Sequence, residues 1–278
     1  MLSWQEDFIK TKDGLKIFIR HVWPAKIKAR LLLIHGYAEH SGRYAQLLEL
    51  LASCGFECWA PDLPGHGRSA RCLGDLASFQ NTLNTLHYLL DFINRENGRK
   101  KYFILGHSLG GCLALCLSAQ HKGHLAGTIA IAPMILVPDY VSPFLKKIAG
   151  ILACLLPQLA LQPFAQENIS RNEAVLDELF LDPYCYRGKI KARTGYQMLL
   201  GIEQARQFLQ EIKTPLLLLH GAEDKIMPVA GSQYILDKVV ASDKQLHVFP
   251  NLYHEILNEK EKEAVFELIL SWLKEHSA

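Results

Sequence analysis

The pentapeptide Gly106-His107-Ser108-Leu109-Gly110 follows the apolar run KYFIL and precedes GCLALCLSAQH. Glycines at 106, 110 and 111 crowd one hydroxyl, although glycine is costly inside a strand or helix. They therefore mark a tight strand-to-helix turn, on which a side chain at Gly106 or Gly110 would strike neighbouring backbone. Such a turn lifts Ser108 Oγ clear of the sheet. It also aims the Leu109 N–H and the first helical amides at charge developing beside the hydroxyl. That arrangement suits attack by an activated alcohol. An ordinary N-cap serine with a glycine-rich first turn would read the same way over these five residues.

An alcohol needs a general base near neutral pH. His107 is adjacent, but neighbours on so tight a turn diverge, so it is assigned to packing or solvent. Further on, PLLLLHGAED places Asp224 just beyond a strand end, and KQLHVFPNLYHE places His254 five residues past Phe249. An acid and then a histidine after the last two strands is the order expected for partners of Ser108. Asp224 would fix the imidazole tautomer, and His254 would take and return the serine proton. Glu223 is an alternative acid. Asp237 and Asp243 fall on the following helix and its end, His247 reads as a sheet-packing residue, and His276 lies in a terminus expected to fray. In LLLIHGYAEHSGRY, Gly36 permits a close turn after His35, which makes the Tyr37 N–H the natural partner of the Leu109 N–H. His35 itself reads as a buried orienting group. His66, in DLPGHGRS, has no second ligand at metal-binding spacing, so no metal is expected.

The elements that must position these residues are readable as eight candidate strands: QEDFIK, LKIFIRHV, RLLLIH, FECWA, KYFILG, GTIAIA, PLLLLH and KQLHVF. The first two flank Asp13-Gly14, a hairpin signal, so the sheet should begin antiparallel. From Leu31 the runs are continuously apolar and separated by helical patterns (44–53, 75–97, 108–121, 231–240 and 255–276), as in a parallel sheet covered on both faces. Residues 138–210 break the rhythm with helical periodicity and no convincing strand, too long for an ordinary connection. The expectation is an α/β core of residues 1–137 and 211–278, with 138–210 inserted as a helical cap over the carboxyl ends of the strands.

Lys plus Arg at 30 against Asp plus Glu at 28 gives a formal charge of +2 without a basic block, so nucleic acid is not an expected partner. The opening MLSWQEDFIKTKDG lacks the basic and apolar regions of a secretory signal, and a cytoplasmic location is expected. Seven cysteines, none in a CxxC pair, read as free thiols. The apolar run over 148–161 contains Pro157 and falls short of the roughly 20 residues needed to cross a bilayer. It reads as a buried or lid helix, or, with Lys146 and Lys147 ahead of it, as one lying on a lipid surface. Nothing in the sequence reports on oligomeric state.

Taken together, HGYAEHSGRY, DLPGHGRS, GHSLGG, HGAED and NLYHEILNE resemble the α/β-hydrolase superfamily. Within it they are similar to the monoacylglycerol lipase and lysophospholipase-like group, the serine aminopeptidase-type hydrolases. The resemblance covers about 30–137 and 214–260, and the intervening segment carries no family motif. It implies the α/β-hydrolase fold and a serine esterase acting on acyl esters of glycerol or glycerophospho compounds. Ser108, Asp224 and His254 would be the triad, Tyr37 and Leu109 the amide donors, and no cofactor would be needed. It also implies that Glu39 and Arg43 lie near the polar leaving group; a salt-bridged loop is the other reading. One position departs from the pattern. Animal monoacylglycerol lipases carry a second histidine three residues past the catalytic one, where this chain has Leu257, so the substrate is held at the level of a carboxylic ester. Cleavage of an amide, a thioester or a small ester by the same residues stays open, as does a weakly catalytic binding module on the same fold.

Overall fold

In the computed structural model, β1 (Leu2–Lys10) and β2 (Lys16–Pro24) form the expected antiparallel hairpin. Gly14 turns it at φ +84°, which a residue without Cβ adopts freely. The structure describes residues 1–278 apart from 97–99, 121, 122, 124, 139, 140, 164, 165 and 278, and gives only the backbone of 95 and 96. The expected helix ends at 97 and 121 lie outside the described residues.

Strand and helix then alternate: β3 (Ala29–Ile34), α1 (Ala45–Ser53), β4 (Phe56–Pro61), α2 (Phe79–Glu96), β5 (Tyr102–His107), α3 (Leu109–Gln120) and β6 (Leu125–Ile131). A long excursion follows through α4 (Pro143–Leu155), β7 (Ala160–Gln162), α5 (Glu173–Leu181), β8 (Ile190–Lys191) and α6 (Ala192–Phe208). The chain returns to the sheet with β9 (Leu216–Gly221), α7 (Ala230–Lys238), β10 (Lys244–Phe249) and α8 (Lys262–Glu275).

The eight long strands form one sheet in the order β1-β2-β4-β3-β5-β6-β9-β10. The β1–β2 and β2–β4 pairings are antiparallel and the rest parallel. Every residue of β3, β4, β5 and β9 is buried, which is why these runs are apolar without alternation. Two core clusters, one on each face, hold the layers together. A fully buried leucine or phenylalanine contributes about 1.5–3 kcal/mol by leaving water. In α3, every residue from Leu109 to Ser118 is buried, because the helix is enclosed between the sheet and α6. This rigid pairing of β5 with α3 carries the turn at Ser108.

Three details differ from the sequence expectation. The excursion contains a small antiparallel pair, β7 with β8, whose three and two residues are too short to show alternation. Helix α8 begins at Lys262 rather than 255, because the acidic residues ahead of it serve long-range partners. Glu255 binds Arg43, while Glu259 accepts the Arg171 N–H at 2.9 Å and Glu261 meets the Arg171 guanidinium at 2.7 Å. His276 is tied down rather than frayed, hydrogen-bonded to Asp243 at 2.8 Å and stacked on Trp272.

Candidate active site

Ser108 sits between β5 and α3 at φ +53°, in the left-handed region that non-glycine residues seldom occupy. Its N–H donates to the Ile131 carbonyl at 2.9 Å, and its own carbonyl accepts from Cys112 and Met134 N–H at 3.1 and 3.0 Å. These bonds hold the strained turn. A Cβ on Gly106 would lie 2.1 Å from the Gly110 carbonyl oxygen, and one on Gly110 would lie 2.1 Å from that of Ile34. Both glycines are therefore there for close backbone approach.

The loop after β3 packs directly on this turn. A Cβ on Gly36 would stand 3.3 Å from Ser108 Cβ and 2.7 Å from Glu39 Oε1. Tyr37 follows Gly36, and its hydroxyl donates to the Gly74 carbonyl at 3.0 Å. His35 is fully buried; its Nε2 accepts the Leu63 N–H at 2.8 Å, so it orients a loop, as expected.

His254 follows β10 and is 2 % exposed. Its Nδ1–H donates to Asp224 Oδ2 at 2.7 Å. The Asp224 side chain is fully buried beyond β9. Its Oδ1 accepts the Ile226 and Met227 N–H groups at 2.7 and 2.9 Å, and its Oδ2 also accepts from His220 Nε2 at 3.1 Å. Burial alone would raise the carboxyl pKa, but His254 and His220 outweigh it and hold the group well below the ordinary carboxylate range. Glu223 points to solvent, so Asp224 is the acid beside His254. Asp237 lies on α7, and His247 is exposed on the edge strand β10.

Ser108 and His254 line one small pocket together with Tyr37, Glu39, Arg43, His107 and Glu255. Arg43 grips Glu255 through two hydrogen bonds, at 2.5 and 2.7 Å, and reaches Glu39 at 3.4 Å. Glu39 Oε1 accepts from the Gly36 N–H at 2.6 Å and the Tyr44 hydroxyl at 2.7 Å, with His107 Nδ1 at 3.2 Å. Burial opposes its charge; His107 and then Arg43 prevail and hold it well below the ordinary value. Glu39 and Arg43 thus form a buried ion-pair network and also line the pocket that holds Ser108. Leu257, by contrast, packs in the core and lines neither this pocket nor the larger one beside it.

From Ser108 a second, larger space opens in the other direction, about 900 Å³ counting its open mouth. Its walls are mainly apolar, with Met134, Leu145, Ala149, Leu199 and Ile202 from the sheet side, α4 and α6. Helix α4 turns its other face outward: Phe144, Ile151 and Leu155 form an exposed stripe, with Lys147 alongside. Phe164, at the far end of the apolar segment that begins at Phe144, lies outside the described residues. Among the described residues no helix is long and apolar enough to cross a membrane.

His66 is buried, and burial pushes its pKa down to about 3. A different cluster, which no sequence spacing around His66 reveals, brings donor atoms of His40, Asp182 and Cys185 within 4.8 Å of one another. His40 lies 142 positions from Asp182, so the cluster gives no local signal. His40 Nε2–H is already committed to Asp182 at 2.8 Å and its Nδ1 accepts the Gly42 N–H, while burial pushes the Cys185 thiol up to about 12. The set fits a latch between two loops better than an ion site. Glu255, His107 and His220 were also missed as contributors. Proximity in sequence to Ser108, Asp224 and His254 was their only signal.

A family model described as serine aminopeptidase, S33, matches residues 25–261. The monoacylglycerol lipase of Mycolicibacterium smegmatis is 32 % identical over 269 residues, covering 95 % of this chain and 94 % of that one. The human monoglyceride lipase is 30 % identical over 270 residues, covering 96 % and 89 %. The crystal structure of the Paleococcus ferrophilus monoacylglycerol lipase superposes with a TM-score of 0.84 at 28 % identity, over 94 % of this chain and 99 % of that one.

Proposed function

Because the chain belongs to the serine aminopeptidase family of α/β-hydrolases, we propose that it hydrolyses carboxylic esters of lipid type, monoacylglycerols or lysophospholipid-like molecules, through an acyl-enzyme on Ser108. His254 is the base in this reading. With Nδ1–H given to Asp224, its Nε2 carries the lone pair and takes the Ser108 proton as Oγ attacks the ester carbonyl. The tetrahedral oxyanion rests on the Tyr37 and Leu109 N–H groups. His254 then returns the proton to the departing alcohol, and water repeats the sequence on the acyl-enzyme. No cofactor enters the scheme. The observation that carries it is the Asp224–His254 hydrogen bond opening onto the same pocket as a serine strained to φ +53°.

The acyl chain occupies the large apolar space, whose walls also keep water from the oxyanion. The alcohol leaves on the side of Glu39 and Arg43. Residues 138–210 act as the cap, supplying α4 and α6 to the acyl pocket. The outward stripe on α4, with Lys147 beside it, rests on a lipid surface from which substrate is drawn. Seven unpaired cysteines suit a reducing compartment, so we place the protein in the cytoplasm, peripheral to a membrane.

The test is a panel of p-nitrophenyl esters of rising chain length beside monoacylglycerol, lysophospholipid and aminoacyl-amide substrates, with Ser108→Ala as control. Serine-dependent rates should rise with chain length and favour the lipid esters. Rates peaking at the shortest esters, or on the amide, would overturn the substrate reading.

A further inference from the structure

His107 precedes Ser108 in the chain, yet both of its ring nitrogens are engaged away from the serine. Nδ1 lies 3.2 Å from Glu39 Oε1 and 3.0 Å from the Tyr44 hydroxyl oxygen, and Nε2 lies 3.2 Å from the His254 carbonyl oxygen. Tyr44 has one hydroxyl proton; its 2.7 Å contact is with a carboxylate oxygen, which must be given a proton at that distance, whereas Nδ1 stands farther off at 3.0 Å, so the proton is assigned to Glu39. The proton count on His107 follows. A ring protonated only at Nε2 would aim a bare lone pair at a carboxylate, and one protonated only at Nδ1 would aim it at a carbonyl. Only the imidazolium donates in both directions. His107 and Glu39 are 4 % and 3 % exposed, so this is an ion pair kept from water.

We propose that His107, held as an imidazolium by Glu39, is a positioning residue that fastens the loop bearing His254 to the loop bearing Tyr37. The inference rests on the catalytic reading above. The connection runs from the His254 carbonyl through His107 to Glu39, and from Glu39 to the N–H of Gly36, the residue before Tyr37. Base and oxyanion donor are thereby set against each other by one buried carboxylate. The His107 and His254 rings are 4.7 Å apart. The charged and titratable groups around His107 are Glu39, Arg43 and Tyr44 from the segment after β3, and His254 and Glu255 from the loop after β10, with Asp224 beyond His254. Burial opposes the charge on His107; Glu39 and then Glu255 prevail, and its pKa is raised.

The experiment compares kcat and KM of wild type, His107→Gln, Glu39→Gln and Ser108→Ala on a p-nitrophenyl ester, together with long-range proton–nitrogen NMR of the imidazoles. Glutamine at 107 can satisfy one partner but not both, and it carries no charge. It should lower kcat at least tenfold with KM within threefold, the split expected when a positioning contact rather than a binding contact is lost. The wild-type spectrum near neutral pH should show both His107 nitrogens protonated, identified by their loss in His107→Gln. If that variant does not fold, Glu39→Gln provides the assignment by removing the partner of Nδ1. A neutral His107 in the wild type, or a folded His107→Gln with unchanged kcat, overturns the proposal. Turnover that survives Ser108→Ala would instead sink the catalytic reading, so the two failures are distinct.

Discussion

Replacing Asp224 by Asn keeps the size of the side chain and removes one charge, and the structure dictates what the amide must do. Oδ1 accepts two backbone N–H groups, from Ile226 and Met227, so the amide oxygen must take that place; the reverse orientation would set donors against donors. The NH2 then faces His254 Nδ1 and His220 Nε2. To accept from it, His254 must give up its Nδ1 proton and carry one on Nε2, the nitrogen that receives the Ser108 proton in the proposed scheme. The negative charge 2.7 Å from the forming imidazolium is lost as well. Together the wrong tautomer and the lost charge are worth about 10⁴-fold in kcat, or about 5.5 kcal/mol of barrier. The assay is steady-state hydrolysis of a medium-chain p-nitrophenyl ester, with circular dichroism to establish folding. KM should stay within about threefold, because Asp224 lines neither of the two pockets that meet at Ser108. A folded Asp224→Asn enzyme with kcat within tenfold of wild type would refute the reasoning.

Gly110→Ala puts a methyl 2.1 Å from the Ile34 carbonyl oxygen; the turn must shift, and turnover should fall by about 10² or more even where the variant folds. Wild-type activity in that variant would show that the turn tolerates movement. Leu155→Glu combined with Leu156→Glu removes two exposed apolar side chains from the end of α4. It should cut liposome co-sedimentation about tenfold or more while leaving hydrolysis of a dispersed short ester intact; unchanged sedimentation would exclude this helix as the contact. Stability should fall as pH drops below about 6.5. The unfolded chain protonates its histidines near about 6.5 and its carboxyls near about 4, whereas the folded protein keeps His66 down to about 3 and holds Asp224 and Glu39 below the carboxylate range. His107, whose pKa is raised, is protonated in both states at acid pH and adds no slope there. Urea midpoints measured from pH 7 to 4 test this, and a flat profile contradicts it.

The strands were legible because their chemistry is local. β3, β5 and β9 lie in the middle of the sheet, buried on both faces, so an unbroken apolar run is the only pattern they can carry. Gly106 and Gly110 were legible for a related reason, since backbone contact at 2.1 Å leaves no alternative residue. Asp224 and His254 follow successive parallel strands, β9 and β10, and paired strands of that kind bring their following loops to the same edge. The support around them was not legible. Arg43 and Glu255 are 212 positions apart and meet only because the segments after the parallel strands β3 and β10 emerge at the same edge of the sheet. His107 was set aside as a base for a sound reason, the divergence of neighbours on a tight turn, and that same divergence sends its ring to the His254 carbonyl. The start of α8 was misplaced because periodicity cannot reveal that Glu255 and Glu259 are drawn to Arg43 and Arg171.

Ser108 is proposed here as a nucleophile activated by His254. A fluorophosphonate reacts with serine only where a base has raised its nucleophilicity, and peptide mass mapping locates the adduct. The account predicts one adduct, on the peptide containing Ser108, absent in Ser108→Ala and slowed at least a hundredfold in His254→Ala. Unlabelled wild type, or labelling that persists in Ser108→Ala, would contradict it.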